Sequence, residues 1–181
     1  MFTTTSLVAT AATMAAAAVL SGGAITPAAA RAGSVADVAG DARPAIDLTR
    51  YRVVNGERRF DLSAEVVHLT ERGVFTFRYW RGVRATPPGQ SVYVVVRRKD
   101  DATVVRFLTC DREECSPRPE PCDGVRAGWD PDSDTVTVSA SQRCYPRRQG
   151  TPPPRVGRFF VDSEFGKHSD TLADVLRLRR G

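Results

Sequence analysis

The chain has 181 residues, 26 basic against 21 acidic side chains and a formal net charge of +5, a length that suits one domain with a substantial core. The basic excess does not make a nucleic-acid footprint. Arginines alternate with acids in "NGERRFD", "RRKDD" and "CDREEC", and no segment concentrates them as a basic patch requires. They read as a solvated, mildly basic surface, compatible with attraction to anionic cell-wall polymers.

Residues 1–30 contain no Asp, Glu, Lys or Arg, and an apolar run of small residues ends in Ala28-Ala29-Ala30 just before Arg31. An apolar segment followed by a small-residue cleavage site predicts a secretory signal peptide, although "MFTTTS" lacks the usual basic residue. The stretch is about long enough to span a bilayer, but it is rich in Ala and Thr and ends in that cleavage site. Cleavage gives a secreted mature chain, 31–181, with no membrane span. Within it, residues 31–44, "RAGSVADVAGDARP", read as a flexible N-terminal segment, and 45–181 as a single domain.

From there the hydrophobic period is two. "AIDLTRYRVV" and "RRFDLSAEVV" flank "NGE", and Asn-Gly between extended runs predicts a hairpin turn with positive φ at both residues. Phe60, Leu62, Ala64 and Val66 share one face of the second arm, with Arg59, Asp61, Ser63 and Glu65 opposite. "GVFTFRYWRG" places Phe75, Phe77 and Tyr79 on one face and Thr76, Arg78 and Trp80 on the other. "TPPGQ" breaks the chain before "SVYVVVRRK", which has little polarity on either face and so reads as central. "DDA" turns it into "TVVRFLTC". Further on come "GVRAGWD", the turn "PDSD", "TVTVSASQRC", the Pro-rich loop "YPRRQGTPPP" and "RVGRFFVDSEF". The tail "SDTLADVLRLRRG" holds one helical turn at Leu172, Val175 and Leu176, or a short edge strand. About eight short strands with frequent turns and no long helix predict an all-β, antiparallel β-sandwich, immunoglobulin-like or jelly-roll-like, with a closed barrel as second choice.

Four cysteines, Cys110, Cys115, Cys122 and Cys144, are an even number in an exported chain and read as oxidised. Their spacing lacks the paired C-x₂-C of a zinc site, and His68 and His168 are remote in sequence. Three pairings are possible. Cys110–Cys115 with Cys122–Cys144 is preferred, because Cys122 and Cys144 bracket a hairpin whose ends return together. Cys110–Cys144 with Cys115–Cys122 stays open.

"GDARPAIDLTRYRV" and "CDGVRAGWDPDSDTVTVSASQRC", followed by "RVGRFFVDS", resemble a group of small secreted β-sandwich proteins of actinobacteria. Those proteins share a signal peptide, a first strand opened by Gly-Asp and a late Cys-hairpin-Cys. The resemblance covers most of 31–181. It implies a β-sandwich and the Cys122–Cys144 pair, and it implies no activity. The Cys110–Cys115 loop lies outside that pattern.

Catalytic motifs are absent: there is no G-x-S-x-G, no H-E-x-x-H and no phosphate-binding glycine loop. His168, Ser169 and Asp170 are adjacent in sequence, and neighbours do not converge on one substrate atom as a triad must. The expectation is therefore not an enzyme, with no catalytic residue, no required cofactor and a monomeric state. Calcium is the better metal candidate, through Asp130, Asp132 and Asp134 or through Asp37, Asp41 and Asp47, but Asp and Pro are also ordinary turn formers. The candidate binding group is Trp80 with Arg78, Arg81 and Arg84, an aromatic–arginine set suited to a carbohydrate, an anionic polymer or a protein partner. The alternatives are a secreted hydrolase, or a protease inhibitor presenting the 110–122 loop.

Overall fold

The computed structural model describes residues 31–81, 90–111, 114–117, 122, 124–144, 156–172 and 174–181. The expected signal peptide (1–30) and most of the two Pro-rich breaks lie outside them. Twelve strands are described: β1 (Arg31–Ala36), β2 (Leu48–Asn55), β3 (Arg59–Val66), β4 (Val74–Arg81), β5 (Gln90–Lys99), β6 (Ala102–Asp111), β7 (Glu114–Pro117), β8 (Arg126–Asp130), β9 (Thr135–Ser141), β10 (Val156–Phe165), β11 (His168–Thr171) and β12 (Leu176–Arg179). Among the described residues, the short 3₁₀ turn Gln142–Cys144 is the only helical segment.

The strands form two antiparallel sheets, as the alternation predicts. The five-stranded sheet runs β1-β2-β3-β9-β8. The seven-stranded sheet runs β11-β10-β4-β5-β6-β7, with β12 also paired to β10. β5 is interior to its sheet, which accounts for its low polarity on both faces. The apolar faces read from the sequence fill the core: Phe60, Leu62, Ala64 and Val66 from one sheet meet Phe75, Phe77 and Tyr79 from the other, and β5 adds Val92, Val94 and Val96, whose face the sequence left open. Phe60 lies 5.2 Å from Tyr79 and 6.2 Å from Phe159, ring centre to ring centre, and Tyr79 stacks on Phe159 at 4.8 Å. Aromatic pairs in this range add about 0.5–1.5 kcal/mol each beyond their buried area. Trp129 closes the β8 end, edge-on to Phe75 at 5.3 Å, with its indole N–H donated to the Thr70 carbonyl at 2.9 Å.

Three sequence expectations are corrected. The flexible-segment reading of 31–44 fails for its first six residues, which form β1 and pair with β2. Gly33 makes this possible: a Cβ there would approach Leu178 and Leu176 side-chain carbons at 3.0 and 3.2 Å, so the absent side chain lets β12 pack onto β1. The Asn-Gly turn is not the expected positive-φ type, since neither Asn55 nor Gly56 has positive φ. That conformation occurs instead at Asp100 and Asp101 (49° and 60°), the two-residue turn between β5 and β6. Of the two readings of the tail, the short edge strand holds: Leu172 is buried in the core and Leu176–Arg179 form β12. The count of about eight strands also falls short, because β1, β7, β11 and β12 are short or polar edge strands with little periodic signal.

Candidate functional site

On the outer face of the seven-stranded sheet, register pairing sets Arg158 beside Trp80, and Trp80 beside Ser91. The neighbouring row sets Phe160 beside Arg78 and Arg78 beside Tyr93. Trp80 and Arg78 thus share a face, as their spacing predicts. The indole is only 7% exposed, packed edge-on to Phe160 at 6.4 Å, and its N–H has no acceptor among the described residues. The Arg78 guanidinium sits 4.9 Å from the Tyr93 ring centre and 5.4 Å from that of Phe160, and it pairs with Asp162 at 2.6 Å. Burial pushes the Asp162 carboxyl above its ordinary value even though Arg78 and the Thr171 hydroxyl pull the other way. Trp80 and Arg78 are therefore largely occupied by neighbours of their own sheet. Arg81 ends β4, backbone-paired to Gly157, and Arg84 lies outside the described residues.

The outer face of the five-stranded sheet is different. Arg52, Ser63, Thr137 and Gly128 form one cross-strand row, and Val54, Asp61, Ser139 and Arg126 the next. These residues line an open concavity of about 500 Å³. It is a trough because its centre carries small residues. At Gly128 a Cβ would meet Thr137 Oγ1 at 2.6 Å. Arg59 donates to the Ser139 hydroxyl at 2.9 and 3.1 Å, and that hydroxyl in turn donates to Asp61. Arg52 and Arg126 are exposed, on β2 and β8 with two strands between them. Neither has an ion-pair partner among the described residues.

The cysteines pair as preferred, Cys110–Cys115 and Cys122–Cys144, with Cα separations of 4.0 and 5.4 Å. Cys110 and Cys115 are direct partners in the β6–β7 ladder. The 110–122 stretch is thus not a free loop in its first part: Glu114–Pro117 adds an edge strand to the sheet. His68 is exposed, its Nδ1 3.8 Å from an Asp134 oxygen that already accepts the Leu69 N–H at 2.7 Å. His168 sits on β11 opposite Phe165. Neither histidine lines the trough.

No protein-family model, curated protein or solved structure matches this chain. Among the described residues, no helix is long and apolar enough to cross a membrane.

The acidic candidates separate into two groups. At the β8–β9 turn, Asp130 accepts the Ser133 hydroxyl at 2.7 Å and the Asp132 N–H at 3.1 Å. The Ser133 hydrogen bond holds its carboxyl below the ordinary range. These are turn contacts, with Asp134 at a positive φ of 51°. Asp41 and Asp47 instead meet Asp170, and the repulsion of Asp170 is the first cause raising the Asp41 carboxyl above its ordinary value. Sequence reasoning missed Asp170, Arg52 and Arg126. The two arginines were legible as outward positions in alternating strands, whereas nothing local to "KHSDTL" points to Asp41.

Proposed function

We propose that the protein is an exported, non-enzymatic binding module that recognises an anionic, hydroxyl-bearing polymer of the cell envelope across the outer face of its five-stranded sheet. One observation carries this reading: exposed Arg52 and Arg126 flank a trough of small polar side chains. Strands lie about 4.8 Å apart, so the backbone positions of Arg52 and Arg126 are three spacings, roughly 14 Å, apart across the strands and one row apart along them. An elongated ligand lying across the strands would meet a cation at each end. Arginine binds carboxylate and phosphate groups bidentately. Ser63, Thr137 and Asp61 between them offer donors and an acceptor for hydroxyl groups. Two disulfides in a β-rich domain, the apolar leader and the resemblance to secreted actinobacterial proteins support export.

The test is retention on immobilised polyuronate and on a glycerol-phosphate polymer, with a neutral glucan as control. The wild type is expected to bind the anionic polymers at about 50 mM salt and to release as salt rises, because exposed charge contacts are screened. Arg52→Ala combined with Arg126→Ala is expected to weaken binding by about tenfold or more. No retention of the wild type, or undiminished retention of the double variant, overturns the reading.

A further inference from the structure

Asp41, Asp47 and Asp170 each bring a carboxylate oxygen within 4.8 Å of the other two. Two come from the loop that enters β2, and the third from β11 on the edge of the opposite sheet. Asp47 is 1% exposed; its Oδ2 accepts the Gly40 N–H at 2.7 Å, while Oδ1 is buried with no hydrogen-bond partner among the described residues. Asp170 is 9% exposed and accepts the Leu48 N–H at 2.7 Å and the Thr171 N–H at 2.6 Å. No Lys, Arg or His among the described residues pairs with any of the three. Asp47 thus keeps one buried carboxylate oxygen without a donor while its carboxylate stands against two others, an arrangement that is costly unless a positive charge enters.

We propose that Asp41, Asp47 and Asp170 bind a calcium ion that clasps the entry of β2 to β11 and so ties the two sheets together. The donor set is all oxygen, as hard cations require, with no histidine or thiolate in the cluster to favour zinc. Calcium takes six to eight oxygens at about 2.4 Å in an irregular shell, which suits carboxylates brought from two separate elements. Magnesium, at about 2.1 Å, demands a near-ideal octahedron and gives up its waters reluctantly. Water and carbonyl oxygens complete the calcium shell. This site is separate from the polymer trough, which lies on the outer face of one sheet, so each can fail without the other.

The experiment is calorimetric titration and thermal melting of the chelator-treated protein with calcium chloride, and with magnesium chloride in parallel. One calcium is expected to bind with a Kd on the order of 10⁻⁴ to 10⁻³ M, the range of extracellular calcium modules, and to raise the Tm. Asp47→Asn alters a buried residue and can unfold the chain, so the decisive variant is Asp41→Asn, at an exposed position. It is expected to weaken calcium binding by about tenfold or more. In chelator it should melt no lower than wild type, because it removes repulsion; in saturating calcium it should melt lower. That reversal of order is specific to a bound cation. No heat and no Tm change up to about 10 mM calcium, or wild-type affinity in Asp41→Asn, overturns the site. An equal response to magnesium overturns the assignment to calcium.

Discussion

The Asn55 carboxamide oxygen accepts the Gln142 side-chain N–H at 2.7 Å, with both residues buried, across 87 positions of sequence. Asn55 also donates to the Leu178 carbonyl at 3.1 Å and accepts the Gly181 N–H at its backbone oxygen, while Gln142 donates to the Gly56 carbonyl at 3.0 Å. One side chain thus joins the end of β2, the 3₁₀ turn that carries Cys144, and the C-terminal strand. Asn55→Ala leaves buried polar groups without partners and is expected to cost about 2–3 kcal/mol. In a double-mutant cycle with Gln142→Ala, measured by urea unfolding, a coupling of about 1 kcal/mol is expected. Strict additivity would show that the pair does not act as a unit.

Gly157 lies where β10 passes the aromatic core. A Cβ there would come within 2.5 Å of Tyr79 and 2.8 Å of Phe159. Both rings are buried and cannot swing aside without opening the Phe60–Tyr79–Phe159 cluster. Gly157→Val is expected to destabilise the fold by about 1–3 kcal/mol through overpacking. Near-ultraviolet circular dichroism should report the disturbed rings. An unchanged unfolding midpoint would mean that the core has slack at this point.

The two disulfides should contribute unequally. Cys122–Cys144 spans 22 positions and Cys110–Cys115 only 5. Chain entropy gives about 3 kcal/mol for the first and about 2 for the second. Each bridge has one fully buried cysteine, Cys110 and Cys144, so loop length and not burial sets the order. Paired Cys→Ser variants compared by urea unfolding should rank Cys122/Cys144 as the costlier loss, and the reverse ranking would contradict the chain-entropy account.

Asp162 gives a pH signature. Its carboxyl is raised above the ordinary value of 3.8, by burial first, against the opposing pull of Arg78. Between the unfolded and the raised folded value, the native state holds more protons than the unfolded chain. This contribution favours the fold at low pH and is lost as pH rises through the folded value. The stability of wild type minus that of Asp162→Asn, from urea unfolding at stepped pH, is therefore expected to fall as pH rises above 3.8. A rising difference would mean that the Arg78 pair outweighs burial.

Much of the fold was legible because a half-buried strand writes its own orientation into alternate side chains. Phe60, Leu62, Ala64 and Val66 were assigned inward on that basis, and all four are buried. The same alternation put Arg78 and Trp80 on one face, opposite Phe75, Phe77 and Tyr79, but could not show that Phe160, Tyr93 and Asp162 would occupy them. Those partners come from neighbouring strands, and strand order is not a local property. The edge strands escaped notice for a related reason. β1 and β7 carry no sustained apolar face, and their pairing depends on what lies beside them.

By itself, then, the sequence determined an all-β fold of antiparallel strands and the shared faces of β3 and β4, and it favoured Cys122–Cys144 over the open alternative, since each follows from local alternation or from a hairpin that returns its own ends together. The tertiary structure alone decided that Asn55 is a buried junction and not a turn residue, that Arg52 and Arg126 border one trough, and that Asp170 meets Asp41 and Asp47. These depend on which strands become neighbours and how one sheet stacks on the other. That outcome is set by the packing of the whole core, and no short stretch of the chain encodes it.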